Sequence, residues 1–229
     1  MTSNKFETGI QNAVHVCMNT QDDDRVFIYC DKETLKIGKA LEDETKTAGA
    51  EIKMVLLESY GTRPLTHAPD ELINELVEYR PTLTYYAAES KPGEIKMRME
   101  LTIKARQAFE DLDHPHPRHG HMVGITPQLI EEGMNADYNK IHRITYQIYD
   151  LVKNAQSISV TSAKGSDLTA TFNPDYRWKP CHGLYHKPDD RGNLPEGEVF
   201  TCPDAVNGIV VADVLGDHFS PKYGVLEKP

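Results

Sequence analysis

The sequence predicts an α/β fold: an open parallel sheet flanked by helices, followed by the start of a β-rich second domain. Three observations lead there. Apolar runs of strand length recur at 26–30, 54–57 and 83–87, and they are continuous rather than alternating. Continuous runs suit strands buried on both faces, as in a parallel sheet. The stretches between them carry helical spacing, which gives the βαβ alternation of right-handed crossovers. After residue 156 the spacing changes to period two and no helical pattern follows.

A first helix is predicted over 5–18, where Ile10, Val14 and Met18 recur every fourth residue. Val26-Phe27-Ile28-Tyr29-Cys30 is the first strand. Residues 32–48 place Ile37, Ala40, Leu41 and Ala48 on one side, and Gly49 stands where a helix C-cap belongs. Met54-Val55-Leu56-Leu57 is the second strand. Pro69-Asp70-Glu71 opens a helix, because proline tolerates the first turn and carboxylates favour its positive dipole end. Leu72, Ile73, Leu76 and Val77 form its apolar stripe. Leu83 to Ala87 is the third strand, and Met97, Leu101, Ala105 and Phe109 mark the next helix. His121 to Ile125 is a shorter fourth strand. A long helix over 137–154 presents Ile141, Ile144, Ile148, Leu151 and Val152 on one face. A domain of residues 1–155 is therefore expected, followed by a partial domain of residues 156–229. The latter carries strands at 157–160, 167–172, 198–201 and 209–214. Gly165 suits a hairpin connection between the first two.

The 229 residues are 39% hydrophobic and 26% charged, a globular composition long enough to bury a core. A formal net charge of -10, with no Lys/Arg run, speaks against a nucleic-acid partner. No stretch reaches the roughly 18 apolar residues of a membrane span, and the polar N-terminus lacks a signal-peptide pattern. A cytoplasmic protein without a membrane partner is expected. Cys17, Cys30, Cys181 and Cys202 are scattered, as free thiols in a reducing compartment would be; Cys17 and Cys30 are expected in the core. Asp22-Asp23-Asp24 reads as a solvated loop.

Three clusters could carry chemistry. His114, His116, His119 and His121 are good metal ligands by type, but Pro115 and Pro117 extend the segment. Alternating histidines are then expected to face different sides of a polar loop, with no tight metal site. Cys181, His182 and His186, with Cys202 recruited, supply zinc-type donors; a connecting loop is the plainer reading. In the third cluster, a turn through Asn193-Leu194-Pro195 and Gly197 puts Glu198 at the head of an apolar strand. From there a carboxylate can project into a cleft and bind a divalent cation.

The segment Asn193-Leu194-Pro195-Glu196-Gly197-Glu198-Val199-Phe200-Thr201-Cys202-Pro203 resembles the Asn-x-Pro-x-Gly-Glu-Val-Phe-Thr-x-Pro motif of thermophilic metalloaminopeptidases, the aminopeptidase T family. Gly165-Ser166-Asp167-Leu168 is similar to that family's Gly-Thr-Asp-Leu strand. Gly208 to Asp213 is similar to the strand that follows, with Asn207 where glutamate is common. The segment from Ile125 to Tyr138, and the helix after it, resemble its inter-domain region. The likeness is good over about 120–220 and loose before it.

The resemblance implies a dimeric, metal-dependent exopeptidase acting on peptides, with an α/β N-terminal and a β-rich C-terminal domain. Two divalent ions (Zn, Co, Mn or Mg) would act in the full-length family, with Glu198 as one metal ligand. The family's other ligands lie downstream: a second glutamate, two histidines and an aspartate. Residues 204–229 offer no counterpart, and His218 stands alone. The expectation is a fragment or shortened member, inactive by itself, that does not retain the ions. Two alternatives stay open: a non-catalytic binding or interaction protein on the same scaffold, and a relative that opens rings with a single iron.

Overall fold

The structure, a computed structural model, describes residues 4–215 together with Lys222 and Gly224. His218 lies outside them. The chain divides into two compact units. One comprises Met1–Thr145 with Cys181–Glu198, the other Tyr146–Pro180 with Val199–Pro229.

The first unit is built on five parallel strands: β1 (Arg25–Cys30), β2 (Glu51–Leu56), β3 (Leu83–Ala87), β4 (Arg118–His121) and β8 (Arg191–Asn193). Their order is β2-β1-β3-β4-β8, a doubly wound arrangement. Side chains alternate across the two central strands. Val26, Ile28 and Cys30 of β1 join Leu83, Tyr85 and Ala87 of β3 in one buried cluster. Phe27 and Tyr29 join Tyr86 in a second cluster on the opposite face. The continuous apolar runs at 26–30 and 83–87 thus have the predicted cause, a helical layer on each face. Each fully buried large apolar side chain contributes about 1.5–3 kcal/mol relative to exposure.

Helix α1 (Lys5–Gln11) is capped by the Asn4 side chain, which accepts from the Phe6 amide at 3.2 Å, and passes into a π-helical turn at Asn12–Cys17. Ile10, Ala13, Val14, Cys17 and Met18 are buried, so the expected helical stripe is present although the helix widens. Helix α2 (Leu35–Thr47) ends before Gly49, whose φ of 86° serves the predicted cap. Both pack in the first cluster. Helices α3 (Asp70–Tyr79) and α4 (Ile95–Asp111) supply the second through Leu72, Ile73, Leu76, Met97, Leu101, Ala105 and Phe109.

Several expectations shift. β2 runs 51–56 and is only half buried, because it forms the sheet edge; Leu57 already belongs to a 3-10 turn. The fourth strand is 118–121 rather than 121–125. Met122 and Ile125 are buried as a connection, while the strand itself is polar and its side chains find partners. Arg118 pairs with Asp24, which is 6% exposed and also accepts from Thr82 Oγ1 at 2.6 Å, so Asp24 is not solvated. After the short helix α5 (Pro127–Leu129), helix α6 (Tyr138–Val152) leaves Ile144, Ile148 and Leu151 exposed and buries Tyr138 and Thr145. Residues 181–198 return to the first unit, where Arg191–Asn193 extends its sheet beside β4.

In the second unit β5 (Ser157–Thr161) and β6 (Asp167–Thr171) form the expected antiparallel hairpin. Gly165 turns it at a φ of 101°. β10 (Ala205–Ile209) pairs antiparallel with β6, earlier in sequence than the predicted 209–214. Most side chains of this three-stranded sheet are exposed. No helix among the described residues is long and apolar enough to cross a membrane.

Candidate functional site

Glu198 heads strand β9 (Glu198–Phe200), which neighbours β7 (Lys179–Cys181). The pairing brings the end of β7 to the start of β9, and Cys181, Glu196 and Glu198 converge there. One ligand atom from each lies within 4.8 Å of the others. Cys181 is buried, Glu196 half-buried and Glu198 exposed, so the group opens to one side.

The turn between β8 and β9 sets this geometry. Leu194 is buried and its amide donates to the His121 carbonyl at 2.9 Å, anchoring the turn to the sheet. The Tyr185 hydroxyl donates to the Glu196 carboxylate. Burial first, and then the Glu196 carboxylate, push the Tyr185 phenol upward, so it stays a donor. Gly192 leaves room for both partners: a Cβ there would stand 2.2 Å from the Tyr185 hydroxyl and 2.7 Å from Glu196 Oε2.

A thiolate with two carboxylates is a donor set that zinc accepts, and three protein ligands with an open side is the pattern of a catalytic zinc site. Two ions would need donors beyond these three. Glu198, the residue expected from the sequence as a metal ligand, belongs to this group. Cys181 and Glu196 complete the group, and sequence reasoning missed their partnership. Its one signal was the spacing Glu196-x-Glu198 at a strand start.

The alternative weighed for Cys181, a zinc group with His182 and His186, is not among the three-ligand groups of the described residues. His182 Nδ1 accepts from the Leu184 amide at 3.1 Å, and His186 Nε2 bonds the Val16 carbonyl at 2.9 Å. Cys202 belongs to the second unit. The histidine-rich segment also differs from expectation. His119 and His121 lie on β4 two residues apart, so they share one face, and His119 Nε2 sits 3.2 Å from His121 Nδ1. His119 Nδ1 is 2.8 Å from Thr84 Oγ1. Among the described residues these imidazoles belong to no three-ligand group.

No protein-family model and no curated protein matches the chain. Solved structures do. The chain is similar to one titled "Wild-type AmpT from Thermus thermophilus", with a TM-score of 0.55 and 15% sequence identity over 91% of this chain and 64% of that one. The chain thus spans less than two thirds of that structure's length, and at this identity the likeness is one of fold.

Proposed function

We propose that this chain is part of a divalent-metal-dependent aminopeptidase in which Glu198 is a metal-binding carboxylate. The observation that carries the reading is the convergence of Glu198 with Cys181 and Glu196. The Gly-Glu-Val-Phe motif around Glu198 and the likeness in fold to AmpT support it. Peptides as substrate and a homodimer belong to the same reading.

Cys181, Glu196 and Glu198 would hold the ion. When bound, it supplies Lewis acidity and acidifies a water for attack on a carbonyl. The chain's own residues do the rest. Glu198 brings exposed negative charge to the open side. Glu196 is oriented by the hydroxyl of Tyr185. Cys181, seated in the core, fixes the inner wall.

The test is zinc, cobalt and manganese binding by calorimetry, with hydrolysis of an aminoacyl reporter as a second measurement. One ion per chain is expected to bind. Glu198→Gln keeps the shape but removes the charge, and should weaken affinity at least about tenfold, or 1.4 kcal/mol, with the melting temperature of the ion-free protein unchanged. Equal affinity in the Gln variant would remove Glu198 from the site. Tight binding without turnover, in this chain and in a version extended beyond Pro229, would favour the non-catalytic reading.

A further inference from the structure

The first unit holds a second place where polar side chains gather, on the sheet face opposite α1 and α2. A cavity of about 630 Å³, including its open mouth, lies between α4 and strands β3, β4 and β8. The pairing registers explain its floor. Thr84 lies beside His119 and His119 beside Arg191, while Tyr86 lies beside His121. Parallel pairing thus sets two short rows of polar side chains across one face. Opposite them, α4 supplies Arg98, Leu101, Ala105 and Phe109.

Charge in this cavity is unbalanced. Asp189 is the one acidic residue lining it, and Arg106 holds that carboxylate through both terminal nitrogens. Arg98 and Arg191 remain: among the described residues neither forms an ion pair, Arg98 lying over the Tyr86 ring and Arg191 being exposed. The two histidines add no charge: burial above all draws His119 down to about 3 and His121 to about 4. They act as neutral hydrogen-bonding groups. Thr84, His119 and His121 form a chain that ends at the second nitrogen of His121.

Unsatisfied polar atoms collect at the same place. Arg98 Nη1, the Tyr86 hydroxyl and His116 Nδ1 are all buried and make no hydrogen bond of good geometry, although Arg98 and the Tyr86 hydroxyl lie close enough to interact. Such groups are costly unless something satisfies them, and native proteins carry few of them. Three around one cavity, with two guanidinium groups outside any ion pair, describe a place suited to an anion. The remaining wall, with Leu101, Ala105, Phe109 and Tyr29, is apolar.

We propose that this cavity binds a small organic carboxylate with an aromatic or branched apolar body, the carboxylate on Arg98 and Arg191 and the body against Leu101 and Phe109. The guanidinium fork matches a carboxylate in two parallel hydrogen bonds, which an ammonium cannot do. The inference is independent of the metal reading, since Cys181, Glu196 and Glu198 do not line the cavity.

The test uses the intact chain and 3-phenylpropionate as probe, with 3-phenylpropionamide as its uncharged counterpart and inorganic phosphate as an anion without a body. Calorimetry or ligand-observed NMR should show saturable binding of the carboxylate, at least about tenfold tighter than the amide or phosphate, or 1.4 kcal/mol. Arg98→Gln and Arg191→Gln should each weaken it by a similar factor. Thr102→Trp, at an exposed position on the rim, should block entry without changing the melting temperature. Amide binding as tight as the carboxylate, or unchanged affinity in both arginine variants, would overturn the proposal. So would the absence of saturable binding. Phosphate binding as tightly as phenylpropionate would overturn the assignment to an organic acid.

Discussion

Acid should destabilise the first unit by an amount traceable to two histidines. Burial lowers His119 to about 3, helped by the neighbouring His121 and Arg191. It lowers His121 to about 4, helped by Arg98. In an unfolded chain both titrate near 6.5. A folded value below the unfolded one means that the unfolded state takes up protons the folded state refuses. The stabilisation is therefore complete above roughly pH 6.5 and is lost as pH falls towards the folded values. Between pH 7 and pH 5 an unfolded imidazole goes from about one quarter to almost fully protonated. Linkage converts this into about 2 kcal/mol per histidine, about 4 kcal/mol for the two. The figure survives their mutual coupling at 3.2 Å, because it requires only that both folded values lie below 5. The groups facing the pair keep their charge over this interval: Arg98 and Arg191 are permanent cations, and Arg106 holds the Asp189 carboxylate below its usual range. Against a typical total of 5–15 kcal/mol the loss is large. Urea unfolding at pH 7, 6 and 5 should be compared for the wild type and a His119→Gln/His121→Gln double variant. Other carboxylates titrate alike in both, so the difference between the two pH slopes isolates the pair. Parallel slopes would refute the buried-neutral assignment.

The buried Asp24–Arg118 pair predicts that Asp24→Ala costs about 3–5 kcal/mol in urea unfolding, since Arg118 is left buried without its counter-charge; a loss under about 1 kcal/mol would show that Arg118 is solvated. Gly9→Ala places a Cβ 2.3 Å from the Ile130 carbonyl oxygen, a backbone atom that a rotamer change cannot move. It should cost about 1–3 kcal/mol, and an unchanged unfolding midpoint would contradict the close approach of the two segments. Native-state labelling with a thiol reagent should reach Cys202 first. Cys17, Cys30 and Cys181 are buried, and burial chiefly pushes the Cys17 thiol up and that of Cys30 to about 12. Rapid labelling of a second thiol before unfolding would be inconsistent with that burial.

How much of this was legible in the sequence depends on what each strand is made of. β1 and β3 are written in Val, Ile, Phe, Tyr and Leu and sit centrally, so composition alone gave their existence, type and double burial. β2 carries an equally apolar run, yet it lies at the edge, and position within a sheet is a property of topology that no local window contains. β4 and β8 read Arg-His-Gly-His and Arg-Gly-Asn, which a hydrophobicity scan passes over. Such strands exist because their polar groups find partners far away in sequence: Asp24 for Arg118, Thr84 for His119. The excursion of residues 181–198 back into the first unit was invisible for the same reason. Glu198 could be found because a short motif surrounds it, whereas Cys181 joins it only through the pairing of two three-residue strands. The misreading of the histidine segment is the more instructive case. Taken as a loop, alternating imidazoles diverge. Taken as a strand, residues two apart share a face by the period of the pleat. Deciding between the two required knowing that Asp24 waits for Arg118. A polar strand is thus identified by its distant partners, and the same pairing brings two histidines and Arg191 to one wall of a cavity. The features hardest to read locally are therefore the ones that gather functional groups, since both follow from long-range pairing of polar side chains.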